Sequence, residues 1–205
     1  MRPLLAVLTL MPAAVLAQET GVSYNYFGLG YSRIEVEDDV LNDSFDFVGY
    51  NVEGSVTVRD HFHLFGFITD GSDDEPGMNL DTLDIVAGVG THFDPLERFS
   101  VFGRVGLVKS EADNGIDSLD DDGYYLEAGL RYMPVEWVEV RAGLSDVEFD
   151  DIDVEDGEAA LFGADLYLTE VVALTLDYTK QDNADAVTLG VRFYPGKEIV
   201  RGRRW

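Results

Sequence analysis

The chain has 205 residues, no cysteine and a formal net charge of −26, from 14 basic and 40 acidic side chains. Its length suits one domain, and without cysteine no disulfide can stabilise the fold. The acidic excess argues against binding to nucleic acid, which needs clustered Lys and Arg. The 21 glycines, 10 tyrosines and 12 phenylalanines favour a β protein with many turns.

The first 17 residues have the features of an export signal. Arg2 precedes an apolar stretch from Leu4 to Leu16, and small residues end at Ala17. No later stretch approaches the about 18 consecutive apolar residues of a membrane helix. The sequence therefore predicts a signal peptide over 1–17, a mature domain over 18–194 and a basic tail over 195–205. If the mature domain spans a membrane, it does so as a β-barrel.

Alternation of apolar and polar residues predicts ten strands. In the second, Val48, Tyr50 and Val52 share one face, and Asn51 and Glu53 share the other. The alternation persists for the about 9 to 11 residues of a tilted bilayer-spanning strand, beyond the about 5 to 6 usual in soluble domains. The predicted strands are 24–36, 45–58, 62–69, 83–93, 99–109, 124–133, 137–149, 159–168, 171–179 and 186–194.

The connections between the predicted strands alternate in length. Longer and mostly acidic loops follow the odd-numbered strands, and short turns follow the even-numbered ones, at 59–61, 94–98, 134–136 and 169–170. This asymmetry is typical of bacterial outer-membrane barrels, with the turns in the periplasm. We expect an all-β, membrane-spanning, antiparallel up-and-down barrel of ten strands, with eight as the alternative and both termini periplasmic. A soluble sandwich also alternates, but it fits the long strands less well.

The third predicted strand is the least regular. Apolar residues occupy both of its faces, and Gly66 lies between Phe65 and Phe67. Its inward face therefore stays unassigned, and a bulge at the glycine is one interpretation.

Five segments together resemble a known group of barrels. They are 23–26 (SYNY), 51–56 (NVEGSV), 62–66 (FHLFG), 86–90 (VAGVG) and 122–129 (DGYYLEAG). With these segments the mature chain is similar to the small outer-membrane barrels of the sulfation-dependent quorum-factor family, and more loosely to the OmpA/OmpX-like superfamily. The resemblance spans most of the mature chain and implies fold and location, but no chemistry. The basic tail departs from the family pattern.

The last predicted strand carries an apolar comb that ends in an aromatic residue. Val187, Leu189, Val191 and Phe193 form this comb, which resembles the terminal signal recognised by the barrel-insertion machinery during biogenesis. Outer-membrane lipid and lipopolysaccharide are the other expected partners, and we expect a monomer.

The inward faces offer ten charged side chains of both signs. We expect Arg131 opposite Glu139 across the turn at Pro134, with Arg141 diagonal to Arg131. Interleaved signs favour a packed ion-pair network that plugs the lumen, whereas a ring of one sign is typical of a selective pore. A narrow cation-preferring porin remains the alternative. The ten are Glu53, Asp84, Arg104, Glu127, Arg131, Glu139, Arg141, Asp165, Asp177 and Arg192.

An enzyme acting on lipid A or peptides is the second alternative. Such barrel enzymes use a histidine near the outer rim, and this chain has three histidines. His61 and His63 fall at the first predicted periplasmic turn, and His92 falls at the periplasmic end of the fourth strand. We interpret them as turn and interface histidines and expect no catalytic activity.

Four acidic windows, 35–43, 70–81, 111–122 and 146–158, contain no Lys or Arg. Such oxygen-rich loops suit Ca²⁺ or Mg²⁺. Asp151, Asp153, Glu155 and Asp156 are the candidate ligands of a surface Ca²⁺ or Mg²⁺ site, and no other cofactor is expected. The alternatives are a solvated, repelling outer surface, or divalent ions that bridge the loops to lipopolysaccharide phosphates.

Overall fold

The structure, a computed structural model, describes residues 21–38, 43–73, 80–113, 118–150 and 157–196. These residues form a closed antiparallel barrel in which each strand pairs with its neighbours in chain order, and the last pairs with the first. The predicted ten-stranded barrel is confirmed. The strands are β1 (Tyr26–Asp38), β2 (Asp43–Arg59), β3 (Phe62–Asp73), β4 (Asp81–Leu96), β5 (Phe99–Asp113), β6 (Ser118–Val135), β7 (Val138–Phe149), β8 (Gly157–Tyr167), β9 (Val172–Gln181) and β10 (Ala184–Phe193).

The two ends of the barrel differ, and we name them by their connections. The turn end holds the short turns after β2, β4, β6 and β8, the start of β1 and the end of β10. The loop end holds the connections after β1, β3, β5, β7 and β9. Within the described ranges, no helix is long and apolar enough to cross a bilayer.

Several strands extend further toward the loop end than their alternation predicts. β5 continues to Asp113 and β6 begins at Ser118, so acidic residues assigned to a loop belong to the ladder. Beyond an apolar belt both faces of a strand are polar, and the period-2 pattern fades although pairing continues. On the outer face of β5, for example, the charged side chains of Lys109 and Glu111 form an ion pair at 2.6 Å.

The prediction of a longer loop after the ninth strand is wrong. β9 ends at Gln181 and β10 begins at Ala184, which leaves a tight connection. Lys180 is the ladder partner of Asp185, and their side chains lie 3.3 Å apart. These polar residues look like a loop in the sequence because their charges interrupt the apolar alternation.

The proposed bulge at Gly66 is also wrong. Gly66 pairs with Gly54 on one side and with Ala87 on the other, without a change of register. The irregularity between β2 and β3 lies at Thr57 and Arg59, beside the turn. A regular strand has one inward face, and in β3 that face carries His63, Phe65 and Phe67.

The distribution of side chains is inverted relative to that of a soluble sandwich. On the outer face of β6, Tyr124, Leu126, Leu130 and Tyr132 are between 45 and 54% exposed, and the two tyrosines bracket the apolar belt. Aromatic residues at the edges of an apolar belt are typical of the two membrane interfaces. The interior instead buries charged and polar groups, which a soluble sandwich core excludes.

Glycines on the inner wall make room for large neighbouring side chains. A Cβ atom on Gly88 would lie 2.8 Å from the Phe65 ring, and one on Gly129 would lie 2.8 Å from the Phe102 ring. Each aromatic ring therefore lies against the wall at a position where the adjacent strand has no side chain. This explains why the inward faces mix glycine with the largest residues.

The apolar belt predicts how the barrel responds to charge on its outer face. Ala128 lies between the two tyrosines of β6, and we expect Ala128→Arg to lower the free energy of unfolding by about 2–4 kcal/mol, the usual cost of arginine near the bilayer midplane. Ser118→Arg makes the same charge change on the same strand face beyond the belt and should cost much less. Denaturant unfolding in phospholipid vesicles measures both. Equal losses would contradict this position of the belt.

Candidate functional site in the barrel lumen

The turn end of the lumen is filled by an aromatic stack built on Tyr24. The Tyr24 ring packs against both His63 and His92, with centroid distances of 4.7 and 4.1 Å. Its hydroxyl lies 2.8 Å from the Ser100 hydroxyl, and the Arg131 guanidinium lies 4.6 Å from the ring centroid. Tyr24 is fully buried although it precedes β1. The segment before the first strand therefore enters the lumen rather than leaving it.

Both chain segments at this end are attached to the wall. The Asn25 side chain accepts a hydrogen bond of 2.7 Å from the Thr57 backbone N–H. Tyr194, just after β10, donates its backbone N–H to the Val171 carbonyl at 2.8 Å and its hydroxyl to Asp165. Tyr194 also packs in a buried cluster with Tyr26, Met133, Tyr167 and Ala173. We call the buried groups at this end the sealing layer. Its members are Tyr24, Tyr26, His63, His92, Ser100, Arg131, Met133, Glu139, Asp165, Tyr167, Ala173 and Tyr194.

The most buried ion pair lies within the sealing layer. Arg131 donates from Nε to Glu139 Oε1 at 2.7 Å, and the two residues are 2% and 0% exposed. The Tyr167 hydroxyl donates to the other oxygen of Glu139 at 3.0 Å. Two charges removed from water are tolerated only when such contacts compensate for their lost hydration.

A second cluster joins two arginines to three carboxylates. Asp165 accepts hydrogen bonds from Arg141 at 2.7 Å and from Arg192 at 3.2 Å. Both arginines also bind Asp177, and Arg192 binds Glu53. Arginine suits this sharing because its planar fork presents several donors in fixed directions.

The third ion pair lies beside the aromatic wall of the lumen. Arg104 donates to Glu127 at 3.1 Å and to the Tyr26 hydroxyl at 3.2 Å. The Tyr125 hydroxyl donates to the same Glu127 oxygen at 2.9 Å. The Arg104 guanidinium also lies 5.0 Å from the Phe65 ring centroid, close enough for a cation–π contact.

Asp84 stands apart from these clusters. Its Oδ1 accepts a hydrogen bond of 2.6 Å from the Ser110 hydroxyl. No ion pair among the described residues includes it, so the structure joins the other nine predicted lumen charges and leaves this carboxylate separate.

The expected register at Pro134 requires correction. Arg131 lies opposite Arg141 in the ladder, and Glu139 is the diagonal neighbour. The strands continue to Val135 and Val138, and the register shifts between Tyr132 and Val135, so the turn is tighter and displaced from the predicted 134–136. The long Arg131 side chain reaches Glu139 across the diagonal.

The interpretation of His63 and His92 as turn and interface residues is also wrong. Both side chains point into the lumen and are buried, and His63 Nε2 accepts a hydrogen bond of 3.3 Å from Arg104. Only His61 of the three lies exposed at the turn. Alternation along β3 places His63 on the inward face. The sequence does not show which face of this strand is inward, because apolar residues occupy both faces.

The candidate Ca²⁺ or Mg²⁺ ligands Asp151, Asp153, Glu155 and Asp156 lie outside the described residues. Among the residues that are described, no group of three or more His, Asp or Glu side chains is placed to hold a metal ion.

Among the described residues, the loop half of the lumen is lined differently from the turn half. A cavity of about 750 Å³ occupies it, and the ionic clusters form its floor. Its wall on β3 to β7 is apolar, formed by a buried cluster and the side chains packed against it. The wall comprises Phe67, Val86, Val108, Tyr125, Val147 and Phe149, and Phe65 belongs to the same buried cluster.

A family profile described as the outer membrane protein β-barrel domain matches residues 4–194. The chain therefore belongs to this family of outer-membrane β-barrel proteins, and the resemblance inferred from its sequence is confirmed at that level. A search of curated proteins finds no match.

Several solved structures of bacterial proteins match most of the chain at low sequence identity. Neisserial surface protein A is 14% identical, with 84% of this chain and 97% of that chain covered and a TM-score of 0.41. Ail of Yersinia pestis is 15% identical, with 84% and 99% covered and a TM-score of 0.40. The translocator domain of the autotransporter NalP from Neisseria meningitidis is 12% identical, with 84% and 89% covered and a TM-score of 0.45.

The burial of the Arg131–Glu139 pair predicts a large stability effect. Glu139→Gln keeps the side-chain shape but leaves a buried guanidinium without a counter-charge, which usually costs about 3–5 kcal/mol. Glu136→Gln, which breaks the exposed pair with Arg98, should cost about 1 kcal/mol or less. Denaturant unfolding in detergent micelles compares the two. Similar small losses would show that the Arg131–Glu139 pair is hydrated.

Proposed function

We propose that this outer-membrane protein is a closed-lumen barrel with a structural or surface-interaction role and without catalytic activity. In this proposal residues 1–17 direct export, residues 18–194 form the barrel, and the basic 195–205 tail remains in the periplasm with the turn end. The sealing layer is the observation that carries the proposal. Tyr24, Arg131, Glu139, Asp165 and Tyr194 belong to this layer, and each is at most 2% exposed.

The pairing of the lumen charges weighs against the narrow-porin alternative. A selective pore presents unpaired charges of one sign to permeating ions. Here Arg131, Arg141 and Arg192 are each held by at least one carboxylate. An ion moving along the axis would have to displace several buried, hydrogen-bonded contacts.

The enzyme alternative is disfavoured by the position of the histidines. A general base must be able to reach substrate. His63 and His92 instead stack on Tyr24 inside the sealing layer, away from the loop end where lipid A or a surface peptide would approach.

The loop end supports a role in surface interactions. Exposed acids continue along the strands there, including Asp70, Asp81, Asp120, Asp122 and Glu148. Direct contact with the phosphates of lipopolysaccharide would be repulsive, and divalent cations can bridge two anionic surfaces. We therefore retain the lipopolysaccharide contact as ion-mediated, with Asp151, Asp153, Glu155 and Asp156 as candidate Ca²⁺ or Mg²⁺ ligands.

The barrel-insertion machinery is the proposed partner during biogenesis. The apolar comb of β10 projects outward, with Val187, Leu189, Val191 and Phe193 each between 45 and 61% exposed. A segment that is to be recognised must present such a face before the barrel closes.

The sealed lumen predicts that the protein conducts no ions across a bilayer. Refolded protein in a planar bilayer should give no steady single-channel openings, because an ion would have to displace the buried, hydrogen-bonded groups of the sealing layer. An unheated gel sample must show the mobility shift of a folded barrel, so that silence is not caused by unfolded protein. Steady cation-selective openings would overturn this proposal in favour of the narrow porin.

The acidic loop end predicts a lipid-specific effect of divalent ions. In bilayers that contain lipopolysaccharide, millimolar Mg²⁺ should raise the unfolding temperature, because the ion relieves repulsion between carboxylates and phosphates. Phosphatidylcholine bilayers provide the control, and the shift there should be smaller. Equal shifts in both bilayers would show that the ions act on the loops alone.

A further inference from the structure

The loop half of the lumen combines three features of a small-molecule site. Its volume of about 750 Å³ lies within the about 300–1,000 Å³ of typical ligand pockets. One wall is apolar, and a few polar groups converge on the space. The interior of an outer-membrane barrel is usually polar, so an apolar inner wall requires its own explanation.

The side chains of the apolar wall pack against one another. Phe67 packs against Tyr125 edge-on, with ring centroids 5.5 Å apart, and Phe65 lies 6.0 Å from the same ring. Val147 and Phe149 approach this cluster from β7 and remain partly exposed to the cavity. Such a wall offers rings and branched chains to an apolar ligand body.

The opposite wall, on β1, β2 and β10, is mixed and carries hydrogen-bonding groups beside apolar residues at 34, 36 and 186. Ser32 and Thr188 are joined by a hydrogen bond of 2.7 Å between their hydroxyls. Gly30 leaves space for the Asn51 amide, which a Cβ atom at that position would strike. The hydrogen-bonding groups therefore lie opposite the apolar wall, so a ligand would enter in a defined orientation.

The charges around the cavity favour a cation. Six carboxylates and four arginines line it, and Glu139 and Asp165 beneath the floor also neutralise three of these arginines. The lining carboxylates are Glu53, Asp84, Glu127, Glu158, Asp177 and Asp182, and the lining arginines are Arg104, Arg131, Arg141 and Arg192. An anionic ligand would be repelled by the excess negative charge around the cavity, whereas a cationic ligand would compensate for that charge.

Asp84 is the carboxylate beside which the positive charge of a ligand would lie. It pairs with Ser110 in the ladder, one inward position nearer the loop end than the Val86–Val108 pair. Its carboxylate is partly buried at the rim of the apolar wall and binds the Ser110 hydroxyl, with no Lys or Arg of the described chain as its ion-pair partner. A ligand that rests on the wall would place a charged group toward the mouth beside this carboxylate.

We propose that the loop-end cavity binds a small organic cation, with its apolar body against Phe67, Val147 and Phe149 and its positive charge beside Asp84. The proposal goes beyond a surface role, and it is independent of conductance because the cavity lies above the sealing layer. A conducting barrel would end the closed-lumen proposal without deciding ligand binding, and absence of binding would leave the closed lumen untouched.

Tetraphenylphosphonium and tetraphenylborate test the proposal, because they share size and shape and differ in the sign of their charge. Calorimetric titration into protein-loaded nanodiscs, with empty nanodiscs subtracted, should show saturable binding of the cation and at least about tenfold weaker binding of the anion. Absence of saturable cation binding, or equal binding of the two ions, overturns the proposal.

Two variants locate the site. Asp84→Asn should weaken cation binding about tenfold, because it removes the charge and keeps the shape. Asp81→Asn makes the same change on the outer face of the same strand and should leave binding unchanged. Ala186→Phe fills the cavity from β10 and should abolish binding. Each variant must show the gel shift of a folded barrel. Wild-type affinity in both Asp84→Asn and Ala186→Phe would place the bound cation elsewhere and overturn the site.

Discussion

Each arginine in the lumen needs a carboxylate beside it, and this requirement ties together strands that are far apart in the sequence. The desolvation of a buried ion costs several kcal/mol even after relaxation, and only close, hydrogen-bonded pairing offsets that cost. Arg192 on β10 binds Glu53 on β2, 139 residues away, and also binds Asp165 on β8. The pairing therefore requires the closed barrel, because β10 reaches β2 only when β1 lies between them.

The same constraint accounts for the steric pattern of the inner wall. A long guanidinium and its partner need space, and a neighbouring position without a side chain supplies it. Gly163 lies opposite Asp177 in the ladder, and a Cβ atom there would lie 2.7 Å from Arg141. Gly28 has the same relation to Glu53 and Arg192. The glycines of the lumen are therefore part of the ionic network, and their small size matters here more than backbone freedom.

Strand number and location were predictable because a membrane barrel repeats one period-2 pattern for about ten residues per strand. The prediction failed where that pattern loses contrast. Lys180 and Asp185 are ladder partners that read as a loop, and His63 lies inward on a strand with two apolar faces. The Arg131–Arg141 register depends on a bulge at the turn, which alternation does not encode. The sequence places Tyr24 within the first strand, whereas the structure has it before β1 with its ring in the lumen, and alternation does not indicate such an inward chain end.

Phe65 connects the two halves of the lumen. Its ring packs in the same buried cluster as the apolar wall and also lies 5.0 Å from the Arg104 guanidinium, whose carboxylate partner is Glu127. Ion pairs are stronger where water is excluded, because the effective dielectric constant falls. An apolar wall above the ionic floor thus strengthens the contacts that seal the barrel. The apolar body of a ligand in the cavity would exclude further water from that floor, so occupation of the loop half would stabilise the sealed half beneath it.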